Sequence, residues 1–261
     1  MIHISLNRKM LCAGLSLVLL SPLFNLHSQV AAEPASLKPL MAVPDKIILQ
    51  EDYSQPKPLA SDVYSKRQGT QWVIEDGVLR GRPSPPEFQA KKQDHQGLEA
   101  RISIPACPRD FLIQFDVRFL GGEPTPRFPF LEFGHHMARL TWSNGGEATL
   151  SADGESVLLA KLPSFKIEPG RWYHALGETK GEEIVIQFAD GPTIYGKHAS
   201  LDKEKSGFGV CGTKGGTVEL DNVTVWSVKA ETQPDWPQRR SQLPQSEPTV
   251  IKKATTKGKA N

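Results

Sequence analysis

Between residues 98 and 225 the chain spaces its apolar residues with a period of two, and that alternation decides what it can fold into. Leu98, Ala100, Ile102 and Ile104 alternate with Glu99, Arg101 and Ser103. Phe111, Ile113, Phe115, Val117 and Phe119 alternate with Leu112, Gln114, Asp116 and Arg118, and Ile184, Ile186 and Phe188 with Glu183, Val185 and Gln187. Successive side chains of a strand point to opposite faces, so this pattern buries one face and turns the other to water or a cleft. Asp76-Gly77, between Trp72–Glu75 and Val78–Gly81, is a strong hairpin signal, and Asn144-Gly145, Asp153-Gly154 and Asp190-Gly191 mark further reversals. No helical period extends over three turns. The expected fold class is therefore all-β, a jelly-roll β-sandwich of antiparallel strands. One irregularity stands out. Val218 and Leu220 share one parity and Val223 and Val225 the other, which predicts either a bulge at Asp221-Asn222 or a last strand buried on both faces.

A chain of 261 residues suits one large domain or two small ones. Its formal charge of +2 argues against a dedicated nucleic-acid binder. No apolar stretch approaches the ~18–20 residues of a spanning helix. Residues 1–32 read as a secretory signal peptide: Arg8 and Lys9 precede the apolar run Met10–Leu20, and Val30-Ala31-Ala32 supplies small residues for cleavage. Localisation is therefore expected to be exported, periplasmic or secreted. Residues 33–44, rich in Pro and Ala, read as a linker, 45–229 as the sandwich domain, and 230–261 as a disordered basic tail that could touch an envelope polymer. Two cysteines survive processing, Cys107 and Cys211. An oxidising compartment leaves open a disulfide between them or two buried thiols.

The order of several short motifs carries a resemblance. They are Trp72–Leu79, Asp94-His95, the Phe111–Phe119 strand, Gly134-His135-His136-Met137-Ala138-Arg139-Leu140, Glu168–His174, Gly207–Val210 and Leu220–Trp226. In this order the chain resembles the 3-keto-disaccharide hydrolase-like domains of bacterial exported proteins, within the concanavalin A-like jelly rolls. The resemblance implies a sandwich that handles carbohydrate. It departs from the better-known members, lacking their Phe-Asp-Gly and Gly-Asn-Ser-Gly-Ile segments. The Glu-x-Asp-x-x-Glu strand of the related family 16 glycoside hydrolases is also absent, which disfavours retaining hydrolysis by paired carboxylates on one strand.

The candidate catalytic residues are His135, His136, Arg139 and His95. On an extended strand His135 and Arg139 would share one face and His136 the other, so two ligands to one metal are not expected from this pair. Spacing points to His135 facing the cleft, whereas the resemblance points to His136, and both stay open. His95 beside Asp94 could act as a base if the pair lies in a loop. Candidate substrate-binding residues are Trp142, Arg118 and Glu132. Trp72, Trp172 and Trp226 are expected in the core, Trp236 exposed, and His174 buried and satisfied. Asp221 could help hold a structural Ca²⁺, as jelly rolls of this type often do near the closing strand. No phosphate-binding Gly loop, Cys-x-x-Cys or nucleophile elbow is found. The leading expectation is a carbohydrate-processing protein using general acid/base chemistry on a concave polar face. The alternatives are a noncatalytic glycan-binding module and a structural cell-envelope domain, since fold alone cannot choose.

Overall fold

The computed structural model describes residues 37–204 and 207–251. The expected signal peptide and residues 252–261 of the tail lie outside the described residues. In chain order the strands are β1 (Ala42–Glu51), β2 (Ser65–Lys66), β3 (Gln71–Glu75), β4 (Val78–Arg82), β5 (Glu99–Ile104), β6 (Phe111–Leu120), β7 (Phe130–Phe133) and β8 (Ala138–Trp142). They continue with β9 (Ala148–Ala152), β10 (Val157–Leu162), β11 (Trp172–Lys180), β12 (Glu183–Phe188), β13 (Thr193–Lys197), β14 (Phe208–Lys214), β15 (Thr217–Thr232) and β16 (Thr249–Val250). Two short α-helices, α1 (Pro86–Gln89) and α2 (Trp236–Gln242), and two 3₁₀ turns, Ser143–Gly145 and Ala199–Leu201, complete the set of described elements.

The strands form two antiparallel sheets. The first runs β13-β12-β11-β6-β15-β4-β3, with β1 also paired to β15; the second runs β16-β10-β9-β8-β7-β14-β5-β2. The expected sandwich is present, and the alternation explains its core. Phe111, Phe115 and Phe119 point inward from β6 and meet Phe133, Phe208 and Trp142 of the second sheet in turn, with Phe115 and Phe208 centroids 4.7 Å apart. The sheets approach closely because Gly177 of β11 has no side chain: a Cβ there would sit 2.2 Å from the Phe133 ring. The Asp76-Gly77 hairpin forms with both residues at positive φ, as its turn type requires. Of the two alternatives at Asp221-Asn222, the bulge is the one present. The β15–β6 register shifts between Asp221 and Thr224, Asn222 adopts φ +48°, and Val218, Leu220, Val223 and Val225 all enter the core.

The segment ends differ from expectation. Of the residues read as a linker, the described ones, 37–44, instead pack onto the outer face of the first sheet, where Met41 and Ala42 are fully buried. The cause is Glu178, a β11 residue whose carboxylate accepts the backbone N–H groups of Leu40 (2.8 Å), Met41 (2.9 Å) and Ala42 (2.8 Å). The tail also folds over its described part. β15 continues to Thr232, and α2 presses Trp236 onto Val185, Tyr195 and Met41. Trp236 is thus buried rather than exposed, and Arg240 pairs with Glu183 at 3.1 Å. The Pro- and Gln-rich composition hid this, because a seven-residue helix anchored by one tryptophan has no period to detect. Trp72 is core as expected. Trp172 is partly exposed on the outer face and Trp226 half-buried there.

Candidate functional site

With Ala100, Ile102 and Ile104 of β5 pointing inward, Glu99, Arg101 and Ser103 point out. The same parity places Gly209 of β14, Phe130 and Glu132 of β7, and Arg139 and Thr141 of β8 on the outer face of the second sheet. Glu132 lies opposite Arg139 on one side and Gly209 on the other. Four connecting segments rise around this face and enclose a cleft of about 760 Å³, whose lining includes His95, Glu99, Arg101, His135, His136 and Arg139. All four residues singled out as catalytic candidates from the sequence are brought together there.

Glu132 organises the floor. It is almost wholly buried, and its carboxylate accepts from Arg139 Nη2 (2.6 Å), Arg101 Nη2 (3.1 Å) and the His136 backbone N–H (3.2 Å). Arg101 reaches it across β14, whose Gly209 lies opposite Glu132, where a Cβ would stand 3.5 Å from the Glu132 Cβ and 3.6 Å from its Oε2. Burial acts to raise the Glu132 pKa, but the two guanidinium groups outweigh it and hold the carboxyl below its ordinary range. Arg139 also pairs with Glu155 and lies over the Phe130 ring, 4.1 Å from its centroid, with Arg101 5.2 Å from the same ring. Arg139 Nε and Thr141 Oγ1 are buried without a hydrogen-bond partner.

The two adjacent histidines do not lie on a strand, which corrects the alternation expected for them. β7 stops at Phe133, Gly134 takes φ +74°, and His136 takes φ +58°, so Gly134–Met137 is the hairpin turn to β8. The turn is held by Met137 N–H donating to Gly134 O (2.9 Å) and Gly154 N–H donating to His136 O (2.8 Å). Both imidazoles consequently reach the cleft, their ring centroids 3.9 Å apart, and the choice between His135 and His136 disappears. Burial, with the neighbouring His135, holds the His136 pKa below its ordinary value.

His95 sits in a loop at φ +51°, where Gln68 Nε2 donates to its Nδ1 at 2.9 Å; the Asp94 carboxylate is 4.0 Å from its Nε2. Across the cleft, Glu99 is half-buried and desolvation raises its pKa, opposed by its own backbone N–H and by Lys214, Arg101 and Arg127. Glu99, Arg101, Gln68 and Phe128 were not singled out from the sequence. Strand parity would have put Glu99 and Arg101 on a polar face, but only the pairing of β5 to β14 shows that this face is the cleft.

Three expected site residues lie elsewhere. Trp142 points into the core, packed against Phe119, Phe165 and Phe188, and is unavailable to a ligand. Arg118 is on the outer face of the first sheet, bonded through Nε to the buried Glu219 at 2.6 Å and lying over Trp172. Asp221, in the bulge, accepts its neighbour Asn222's N–H at 2.7 Å, while Asp116 is engaged by His174 and by Asn222 Nδ2. Among the described residues Asp221 joins no group of three or more His, Cys or carboxylate ligands. His174 is satisfied by Asp116, as expected, but on the outer face rather than in the core. Cys107 and Cys211 are both free and buried, not bridged, and burial pushes the Cys107 thiol up to about 12.

No family model and no curated protein matches the sequence. Solved structures do align with the chain. A CBM66 carbohydrate-binding module from Bacillus subtilis is 15% identical over 63% of this chain and 95% of its own, with a TM-score of 0.45. A GlcNAcα1-4Gal-releasing endo-β-galactosidase from Clostridium perfringens is 9% identical over 76% of this chain and 66% of its own, with a TM-score of 0.47. SCLam, a non-specific endo-β-1,3(4)-glucanase of family GH16, is 7% identical over 76% and 95%, with a TM-score of 0.46. At these values the likeness transfers no site residue.

Proposed function

We propose that this protein is an exported carbohydrate-handling protein that binds a glycan in the cleft of the second sheet and performs acid/base chemistry on it. The observation that carries the proposal is the convergence of His95, His135, His136 and Arg139 with Glu99 in one cleft. Sugars are recognised by paired planar hydrogen-bonding groups and by apolar ring faces. Arg101 and Gln68 provide the former, above a floor that Arg139 holds through Glu132. Phe128, stacked on Phe130 with centroids 5.7 Å apart, provides the latter. The sequence resemblance to 3-keto-disaccharide hydrolase-like domains supports a glycoside or oxidised disaccharide as substrate. Glu99 is the proton donor, since a carboxyl with a raised pKa keeps its proton nearer to neutrality. The cleft imidazoles are the acceptors.

The test is a screen of purified protein for binding and turnover on neutral glycans, acidic glycans and 3-keto-disaccharides. Saturable binding is expected, lost or weakened in Arg139→Gln. Turnover should vanish in Glu99→Gln while binding survives, and the wild-type rate should fall as pH rises through the raised Glu99 pKa. Unchanged turnover in Glu99→Gln and in His95→Ala overturns the chemistry. One observation favours a noncatalytic glycan-binding module instead: Glu132, the buried carboxylate of the floor, is already committed to two arginines. Saturable binding without turnover on any substrate selects that reading.

A further inference from the structure

We propose that Glu132, His135 and His136 form a binding site for a divalent transition-metal ion of the Zn²⁺ class, open to the cleft. One nitrogen of each imidazole and one oxygen of the carboxylate lie within 4.8 Å of one another. A Zn²⁺ ion takes nitrogen and oxygen ligands at about 2.0–2.2 Å, so donors around it sit roughly 3.3–3.6 Å apart. The required closure is small. His135 Nδ1 is already 3.4 Å from Glu132 Oε2, the carboxylate oxygen not taken by Arg139. The two histidine side chains are 38% and 57% exposed, so their rings can rotate without disturbing the core.

The local construction fits a ligand set. Alternation on a strand would send adjacent side chains to opposite faces. The left-handed backbone at His136 defeats that and delivers both rings to one side of the turn, above a carboxylate fixed from behind. Glu132 Oε1 is held by Arg139 Nη2 and by the His136 N–H, the kind of outer partner that orients a ligating carboxylate. Oε2 is the ligand atom, and Arg101 Nη2 at 3.1 Å is its competitor. The surround does not repel a cation outright, because Glu132, Glu155, Glu99 and Asp94 stand against Arg101, Arg139, Arg127 and Arg67. Two imidazoles and one carboxylate leave further coordination positions facing the cleft, as in open zinc sites. Imidazole donors select Zn²⁺, Ni²⁺ or Cu²⁺ over Ca²⁺ or Mg²⁺. Such an ion would hold ligand oxygens at the cleft wall and would change the role of these two imidazoles from proton acceptors to ligands.

The site stands whether or not the cleft takes a glycan, and the experiment separates the two. Untagged full-length protein is stripped with chelator and titrated with ZnCl₂ by calorimetry, with bound metal counted after equilibrium dialysis. One ion per chain is expected. The His135→Ala/His136→Ala double variant should abolish uptake, and each single variant should weaken it by more than the ~10–100-fold that loss of an outer-sphere partner brings. His95→Ala and His174→Ala should bind as wild type. Arg101→Gln should bind more tightly, since it removes the competitor for Oε2; an unchanged or weaker affinity overturns Oε2 as the ligand atom. Substoichiometric uptake by the wild type, or a double variant that retains it, overturns the site. Glycan binding measured with chelator present reports on the cleft independently.

Discussion

Replacing Glu132 by Gln tests how the cleft floor is held. The substitution keeps the shape and one carbonyl acceptor but removes the charge that Arg139 and Arg101 share. Breaking a buried ion pair from one side leaves an uncompensated charge and is destabilising by ~3–5 kcal/mol. Here two features pull the effect to the lower end. Arg139 keeps Glu155, and Arg101, with 14% of its side chain exposed, can turn toward water. About 3 kcal/mol is therefore expected, which for a domain of this size lowers the Tm by roughly 6–12 °C. Urea melts of metal-free wild type, Glu132→Gln, Arg139→Met and the double variant close a cycle. The double variant should be less destabilised than the sum of the singles by ~1–3 kcal/mol, since residues sharing one pair are coupled. The sign with pH is also set. Glu132 has its pKa lowered in the fold, so its contribution is present above the ordinary carboxylate range and is lost as pH falls through the lowered value. The Tm gap between wild type and Glu132→Gln should narrow on acidification. Additivity within ~0.5 kcal/mol, or a Tm gap under a degree or so, would refute the ion-pair hub.

Three further outcomes follow from the packing. Glu178→Ala orphans the N–H groups of Met41 and Ala42, both fully buried, and at ~1–3 kcal/mol per unsatisfied group should lower stability by about 2–5 kcal/mol; hydrogen exchange should quicken at residues 40–42 first, and unchanged protection there would contradict the anchor. Gly209→Ala should be tolerated, with its Cβ at ordinary contact distance from Glu132, whereas Gly209→Leu should displace Arg101 from the carboxylate and weaken ligand binding in the cleft; equal binding in both would show that Arg101 does not need that path. Cys107 and Cys211, both buried and with raised pKa values, should resist a thiol reagent at pH 8 in the native protein and react after denaturation, as read by peptide mass mapping; native labelling at either position would contradict their burial.

What the sequence made legible was the part of the structure set by local physics. Period two in residues 98–104, 111–119 and 184–188 identified the inward residues, and the parity break at Asp221-Asn222 marked the irregular place while leaving open the bulge that forms and a strand buried on both faces. Parity names two faces of a strand, however, and cannot say which outer face carries a cleft. Arg118 and Arg101 are equivalent by pattern, yet one faces Glu219 on the first sheet and the other the cleft on the second, a distinction made by long-range pairing. His135 and His136 were visible as residues but misplaced on a strand, because Gly134 and a histidine at positive φ convert that stretch into a turn. The N-terminal segment and the tail were missed because their anchors are distant. Glu178 lies 136 to 138 residues from the N–H groups it binds, and nothing near residue 236 in sequence signals that Tyr195 and Val185 await its indole.

The most direct test of the glycan cleft is the amide spectrum of ¹⁵N-labelled protein titrated with a glycan that it retains. Binding in the cleft predicts saturating shift changes at His95, Glu99, Arg101, His135 and His136, with little movement at Asp116 and His174 on the opposite sheet. Changes gathered instead around Asp116, His174 and Trp172, with the cleft residues unmoved, would place the ligand on the other side of the sandwich and contradict the proposal.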